Sequence, residues 1–160
     1  MELSAVKINI PENCNVILGQ THFIKSVEDL FEIMVSNVPG AKFGIAFSEA
    51  SGVCLIRAEG TDESLKAAAI ANVKDVACGH LFCIVMKDSF PINVLNAVKA
   101  CPEVANVFCA TANPLEVIVA QTELGRGVMG VIDGFPPKGV EGPDDIKWRK
   151  DLLRKIGYKL

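Results

Sequence analysis

The sequence predicts an α+β fold: a single compact domain spanning residues 1–160, with a mixed, largely antiparallel sheet and about four helices. Three observations lead there. Apolar residues alternate in short segments joined by turn residues, as in the hairpin-like "KFGIAFSEASGVCLIRAEG". Other segments repeat their apolar residues at helical spacing. These helical segments do not follow the strands in the regular alternation that a parallel sheet requires.

The elements follow in order. "VKINI" alternates apolar and polar residues and is expected as a strand, with "NVILG" as its neighbour. Ser26 opens a helix in which Val27, Leu30, Phe31, Met34, Val35 and Val38 recur on one face; Pro39 and Gly40 stop it. In the hairpin, Phe43, Ile45 and Phe47 share a face, while Gly44 and Ala46 keep the other face small enough for a ligand or another backbone to approach. Thr61 is placed to cap a second helix carrying Leu65, Ala68, Ala69, Val73 and Val76.

The apolar run in "CGHLFCIVMKD" predicts a strand covered on both faces. Pro91 starts a short helix through "INVLNAVK", which ends before Pro102. "VANVFCATANPLEVIVAQT" gives two strands around the turn at Asn113 and Pro114, and "GRGVMGVID" gives another. Pro143 begins a last helix, with Asp144 and Asp145 in its first turn, basic residues later and Gly157 beyond its end. Its residues Ile146, Leu152, Leu153 and Ile156 are expected to dock inward.

Composition narrows the function classes. Half of the residues are hydrophobic and mean hydropathy is +0.33, values that fit a well-packed chain with some apolar surface covered by sister subunits. A net charge of −3 argues against nucleic acid as the main partner. The basic stretch "KWRKDLLRK" is diluted by Asp144, Asp145 and Asp151 and is better read as a solvated helix face. No apolar run reaches membrane-spanning length, and the start "MELSAVKINIPEN" lacks a signal-peptide pattern, so a cytoplasmic protein is expected. The six cysteines form no Cys-x-x-Cys pair and several sit in apolar runs, as reduced, buried thiols do. With two histidines in the chain, no metal site is expected, and no cofactor is called for.

"GRGVMG", from Gly125 to Gly130, matches the spacing of a dinucleotide-binding fingerprint. That motif needs a strand before it and a helix after it, whose N-terminus holds the pyrophosphate. Here it runs into "VIDGFPPKG", which cannot start a helix, so the Rossmann reading is rejected. A glycine-bearing strand and loop that also carry Arg126, Asp133 and Lys138 suit a small anionic ligand instead. The bland alternative is a strand whose glycines permit a bend or close packing.

His80 stands at the entrance to the apolar strand. A histidine there is commonly structural, and His22 fits a surface or capping role. Imidazole is nevertheless a nucleophile that is substantially neutral at pH 7. Attack on a phosphoryl group would give a phosphohistidine able to pass the group on, with Arg126 or Lys138 offsetting its charge.

The ordered series "GHLF", "FPINVLNAVK", "PEVANVFCATANPLEVIVAQTELGRGVMGVIDG" and "PKGVE" resembles the adenosine-specific kinase family, most firmly between Gly79 and Glu141. The resemblance implies a small-molecule ligand, adenosine or AMP, in preference to more highly phosphorylated nucleotides. It also implies a homo-oligomer, a trimer, and a phosphorylated histidine carried over to His80. Asn113, Arg126, Gly127, Asp133, Gly134 and Lys138 are carried over as pocket residues, with no individual roles assigned. The doubled proline in "FPPKG" departs from the pattern. No P-loop and no protein-kinase signature set is present, so an ordinary ATP-driven kinase is excluded. Two functional readings remain: phosphotransfer to adenosine through His80, or a non-catalytic nucleotide-binding or regulatory oligomeric module.

Overall fold

A computed structural model describes residues 1–160. The chain order is β1 (Glu2–Lys7), β2 (Cys14–Thr21), α1 (Ser26–Asn37), β3 (Lys42–Ser48), β4 (Ile56–Gly60), α2 (Glu63–Val76), β5 (Leu81–Lys87), α3 (Pro91–Ala100), β6 (Val104–Thr111), β7 (Leu115–Gln121), β8 (Arg126–Asp133) and α4 (Pro143–Lys155). The strands form a five-stranded sheet, β4-β3-β5-β2-β6, and a three-stranded sheet, β1-β7-β8. Every pairing is antiparallel. The expected α+β class holds, but the strands divide between two sheets.

Alternation in the central strands explains the layering. Ile17, Phe43, Ile45, Phe47, Phe82, Ile84 and Met86 point to one face of the large sheet and pack with α1 and α3 residues such as Leu30, Met34, Val94 and Val98. On the opposite face, Val16, Leu18, Cys83 and Val85 meet α2 and the inner side chains Leu115, Val117 and Val119 of β7. β5, between β3 and β2, therefore buries every residue from Leu81 to Met86, as its unbroken apolar run requires. Each large side chain buried there contributes about 1.5–3 kcal/mol.

Several local expectations are corrected. β1 pairs with β7 rather than β2, because its inward Val6 completes the core under the small sheet. β6 and β7, although joined by the Asn113–Pro114 turn, enter different sheets. Ser26 is the first residue of α1 but is no cap: its buried hydroxyl donates to the Phe23 carbonyl and accepts from Thr21 Oγ1. The cap of α2 is Asp62, whose carboxylate accepts from Leu65 N–H at 3.0 Å. Thr61 instead ties β4 to β3, donating to the Ala41 carbonyl and accepting from Phe43 N–H.

α4 does not dock inward. It has no buried residue; Ile156 is 51% exposed and Trp148 66%. No helix is long and apolar enough to cross a membrane.

Burial also governs the thiols. It pushes Cys83 up to about 12 and Cys109 to about 11, with Asp133 adding to the latter, whereas Cys54 is exposed. In a thiol titration of native protein at pH 8, Cys54 is expected to react fast, the half-buried Cys109 slowly, and the four buried thiols only on unfolding. Fast reaction of Cys83 would contradict the packing.

Candidate functional site

His80 is positioned by the end of α2 and the start of β5. Ala77 closes α2 in the left-handed conformation, the chain turns through Cys78 and Gly79, and His80 itself sits at φ +60°. Its N–H donates to the Ser48 carbonyl at 2.8 Å and its carbonyl accepts from Thr21 N–H at 2.9 Å. These bonds hold a backbone state that few non-glycine residues adopt. The imidazole lies nearly parallel to Phe47, with centroids 5.9 Å apart and planes 19° from parallel. Gly79 admits the 49–55 loop, since a Cβ there would lie 2.9 Å from Ala50 Cβ. That loop is clasped by Glu49, which accepts from Leu55 N–H and Arg57; the Leu55 bond, with help from Arg57, holds its carboxyl below the usual range.

His80 and Arg126, the latter at the start of β8, border one cavity of about 670 Å³, together with Gly127, Gln20 and Thr122. Arg126 also lines an adjoining cavity of about 370 Å³ with Cys78 and Asn106. One guanidinium nitrogen donates to the Asp75 carbonyl at 3.1 Å. Nε is buried and has no partner in the chain, and no carboxylate pairs with the group. A buried cationic donor without a partner is costly, and an anion in the adjoining space would offset the charge of the group.

The remaining expected residues lie elsewhere. Asp133, Asn113 and Gly134 gather at the other end of β8, where Asp133 accepts from Thr111 Oγ1 at 2.7 Å and from the Asn113 amide at 3.1 Å. Gly134, at φ +70°, donates to the Pro114 carbonyl. Seven residue steps of strand separate Asp133 from Arg126, roughly 20 Å. Within one chain Asp133 therefore lies far from the cavity that His80 and Arg126 border. Lys138 is exposed in the loop after β8. Two further cavities, of about 560 and 600 Å³, lie at this distant end, and Asn113 borders the first. Neither is lined by His80 or Arg126.

Gln20, Phe47 and the Asp75 carbonyl escape the sequence reading. Gln20 alone carried a signal, a polar residue ending the apolar run "NVILG". The group with metal-ligating geometry, Asp29, Cys101 and Glu103, is already bridged by the Lys25 ammonium, which meets both carboxylates.

Among solved structures, the chain is similar to the PH1918 protein from Pyrococcus horikoshii OT3, with a TM-score of 0.95 and 44% identity over 99% of this chain and 98% of that one. Proteins of curated function give no significant match. A family model described as adenosine specific kinase matches residues 6–159, nearly the whole chain, and the protein belongs to that family.

Proposed function

We propose that the protein binds adenosine and AMP in the cavity between His80 and Arg126, and that His80 carries a phosphoryl group to adenosine. The observation behind this reading is the Arg126 guanidinium, its buried Nε without a partner and no carboxylate beside it, lining one cavity with a histidine held at φ +60°. A cavity of about 670 Å³ falls within the size range of small-molecule sites. One guanidinium suits one phosphate group, which favours AMP over a di- or triphosphate.

In the first step a ring nitrogen of neutral His80 attacks phosphorus. The P–N bond forms, the bond from phosphorus to the donor's leaving oxygen breaks, and the ring proton passes to that oxygen. In the second step the adenosine 5′-hydroxyl attacks the same phosphorus. The P–N bond breaks, AMP leaves and the hydroxyl proton returns to the ring. Arg126 offsets the phosphoryl charge in both steps.

Incubation of the protein with adenosine and a panel of phosphoryl donors tests the reading directly. AMP formation with transient acid-labile phosphoprotein is expected; tight AMP binding without turnover for every donor would favour the regulatory module. Arg126→Ala is expected to weaken AMP by about 2–3 kcal/mol, roughly 30–150-fold in Kd, while leaving adenosine within about threefold. Calorimetric titration with both ligands checks it, and equal losses for both would remove the phosphate role.

A further inference from the structure

Arg126 stands between two cavities, and only one of them reaches His80. Gln20, Gly79, Arg126 and Gly127 line both. His80 borders the larger, whereas Leu81, Asn106, Phe108 and Val128 border the smaller, of about 370 Å³. Arg126 is the one charged side chain in either lining, and its buried Nε has no partner. Recognition of any neutral part of a ligand therefore falls to the carboxamides of Gln20 and Asn106. Phe108 supplies the one benzene ring in either lining.

Strand register explains how these side chains meet. Gln20 stands directly opposite Leu81 on β5 and Asn106 on β6, so the three share one face of the large sheet. No other cross-strand pair in either sheet sets two carboxamides opposite each other. Both residues are exposed and free to take a ligand. β6 also loses register with β2 twice, between Leu18 and Gly19 and between Gln20 and Thr21. These shifts leave Phe108 and Ala105 with no residue opposite and bracket Asn106. Bulges re-aim side chains and cluster beside sites; here they bring Phe108 and Asn106 into one cavity.

The spacing of the strands sets the scale. β2 lies between β5 and β6, so two strand steps separate Leu81 from Asn106, roughly 10 Å, and His80 immediately precedes Leu81. A nucleoside monophosphate bridges such a distance from its phosphorus to its base. The linings fall in the same order: His80 in the larger cavity, Gln20 and Arg126 at the junction, Asn106 and Phe108 in the smaller.

Resting on the functional reading above, we infer that the smaller cavity is the base subsite, in which Asn106 selects a 6-aminopurine. With the phosphoryl group at His80, the ribose lies at the junction, beside Gln20 and Gly127, where a Cβ on the glycine would meet nothing. The purine packs against Phe108 and Val128. The Asn106 carboxamide oxygen accepts from the 6-amino group and its NH2 donates to N7, the bidentate match of asparagine to adenine. A 6-oxopurine presents two acceptors along that edge, which leaves one of them facing the carboxamide oxygen.

Calorimetric titration of the full chain with adenosine, AMP, IMP and 7-deaza-AMP tests the assignment. The parent protein is expected to bind AMP at least about tenfold more tightly than IMP or 7-deaza-AMP. Asn106→Leu alters an exposed position on an edge strand, so Tm should stay within about 2 °C. It is expected to bring the three monophosphates within about threefold of one another. It should also weaken adenosine and AMP by the same factor, at least about tenfold, because the lost contact is to the base. Survival of the AMP preference in Asn106→Leu overturns the base subsite, as does a parent protein that binds IMP or 7-deaza-AMP as tightly as AMP; neither result touches His80 or Arg126. Equal losses of adenosine and AMP in Arg126→Ala, with the Asn106 effects as expected, overturn the phosphate role of Arg126 and support the base subsite. A parent protein that binds neither adenosine nor AMP overturns both.

Discussion

Replacing His80 by asparagine is expected to abolish phosphoprotein, with incorporation falling more than about 100-fold, while AMP affinity stays within about threefold. A carboxamide nitrogen has no basic lone pair and cannot form the P–N bond. Asparagine is the apt replacement because position 80 lies at φ +60°, which asparagine tolerates better than most residues. The bonds from N–H to Ser48 and from Thr21 to the carbonyl are backbone bonds and survive the change. Loss of the contact with Phe47 costs about 1 kcal/mol at most. Alanine would mix lost chemistry with backbone strain. Radiolabelled phosphate transfer, read beside a calorimetric AMP titration, separates the two roles: an unchanged phosphorylated fraction places the acceptor elsewhere, and a parallel collapse of AMP binding makes His80 a ligand contact.

The site was legible in residue type but not in arrangement. A histidine before an apolar strand and an arginine opening a glycine-bearing strand can be read from the chain. Their meeting depends on β5 and β8 ending near Gln20, and long-range packing of that kind leaves no local trace. The family resemblance carries Asp133 and Asn113 over as pocket residues; their side chains join Thr111 in a network at the far end of β8. The helices and the β3–β4 hairpin were readable because periodicity and turn chemistry act within a few residues. The pairing of β1 with β7 was not, since its register joins residues more than a hundred positions apart. Ser26 and Thr61 misled as caps because tertiary partners had captured their hydroxyls. α4 misled for another reason: its sequence is amphipathic, but its own chain fully buries none of the apolar stripe, leaving Ile146, Leu152 and Leu153 half-buried and Ile156 exposed.

Gly44→Ala is expected to destabilise the protein by about 3 kcal/mol or more, lowering Tm by roughly 10 °C. A Cβ on Gly44 would lie 2.1 Å from the Lys66 nitrogen and 2.3 Å from the Leu65 carbonyl carbon. Both are backbone atoms in the first turns of α2, so no rotamer change can clear the clash. Phe43 and Ile45, which flank Gly44 and point to the opposite face, are fully buried in the core beneath, so the sheet has no room to yield from below. The helix must therefore rise by at least about 1 Å, loosening Leu65 and Ala69 from the core. Gly139→Ala, in a loop with open space around it, is the control and should leave Tm within about 2 °C. The effect extends to the site, because the last turn of α2 holds the Asp75 carbonyl that fixes Arg126 and leads through Ala77 into His80. Gly44→Ala should thus weaken AMP binding together with stability, whereas Arg126→Ala should weaken AMP binding at unchanged Tm. A thermal melt of each variant beside its AMP titration distinguishes the two. If Gly44→Ala melted with the parent protein, the close seating of α2 on β3 would be wrong, and with it the account of how Arg126 is brought to the histidine.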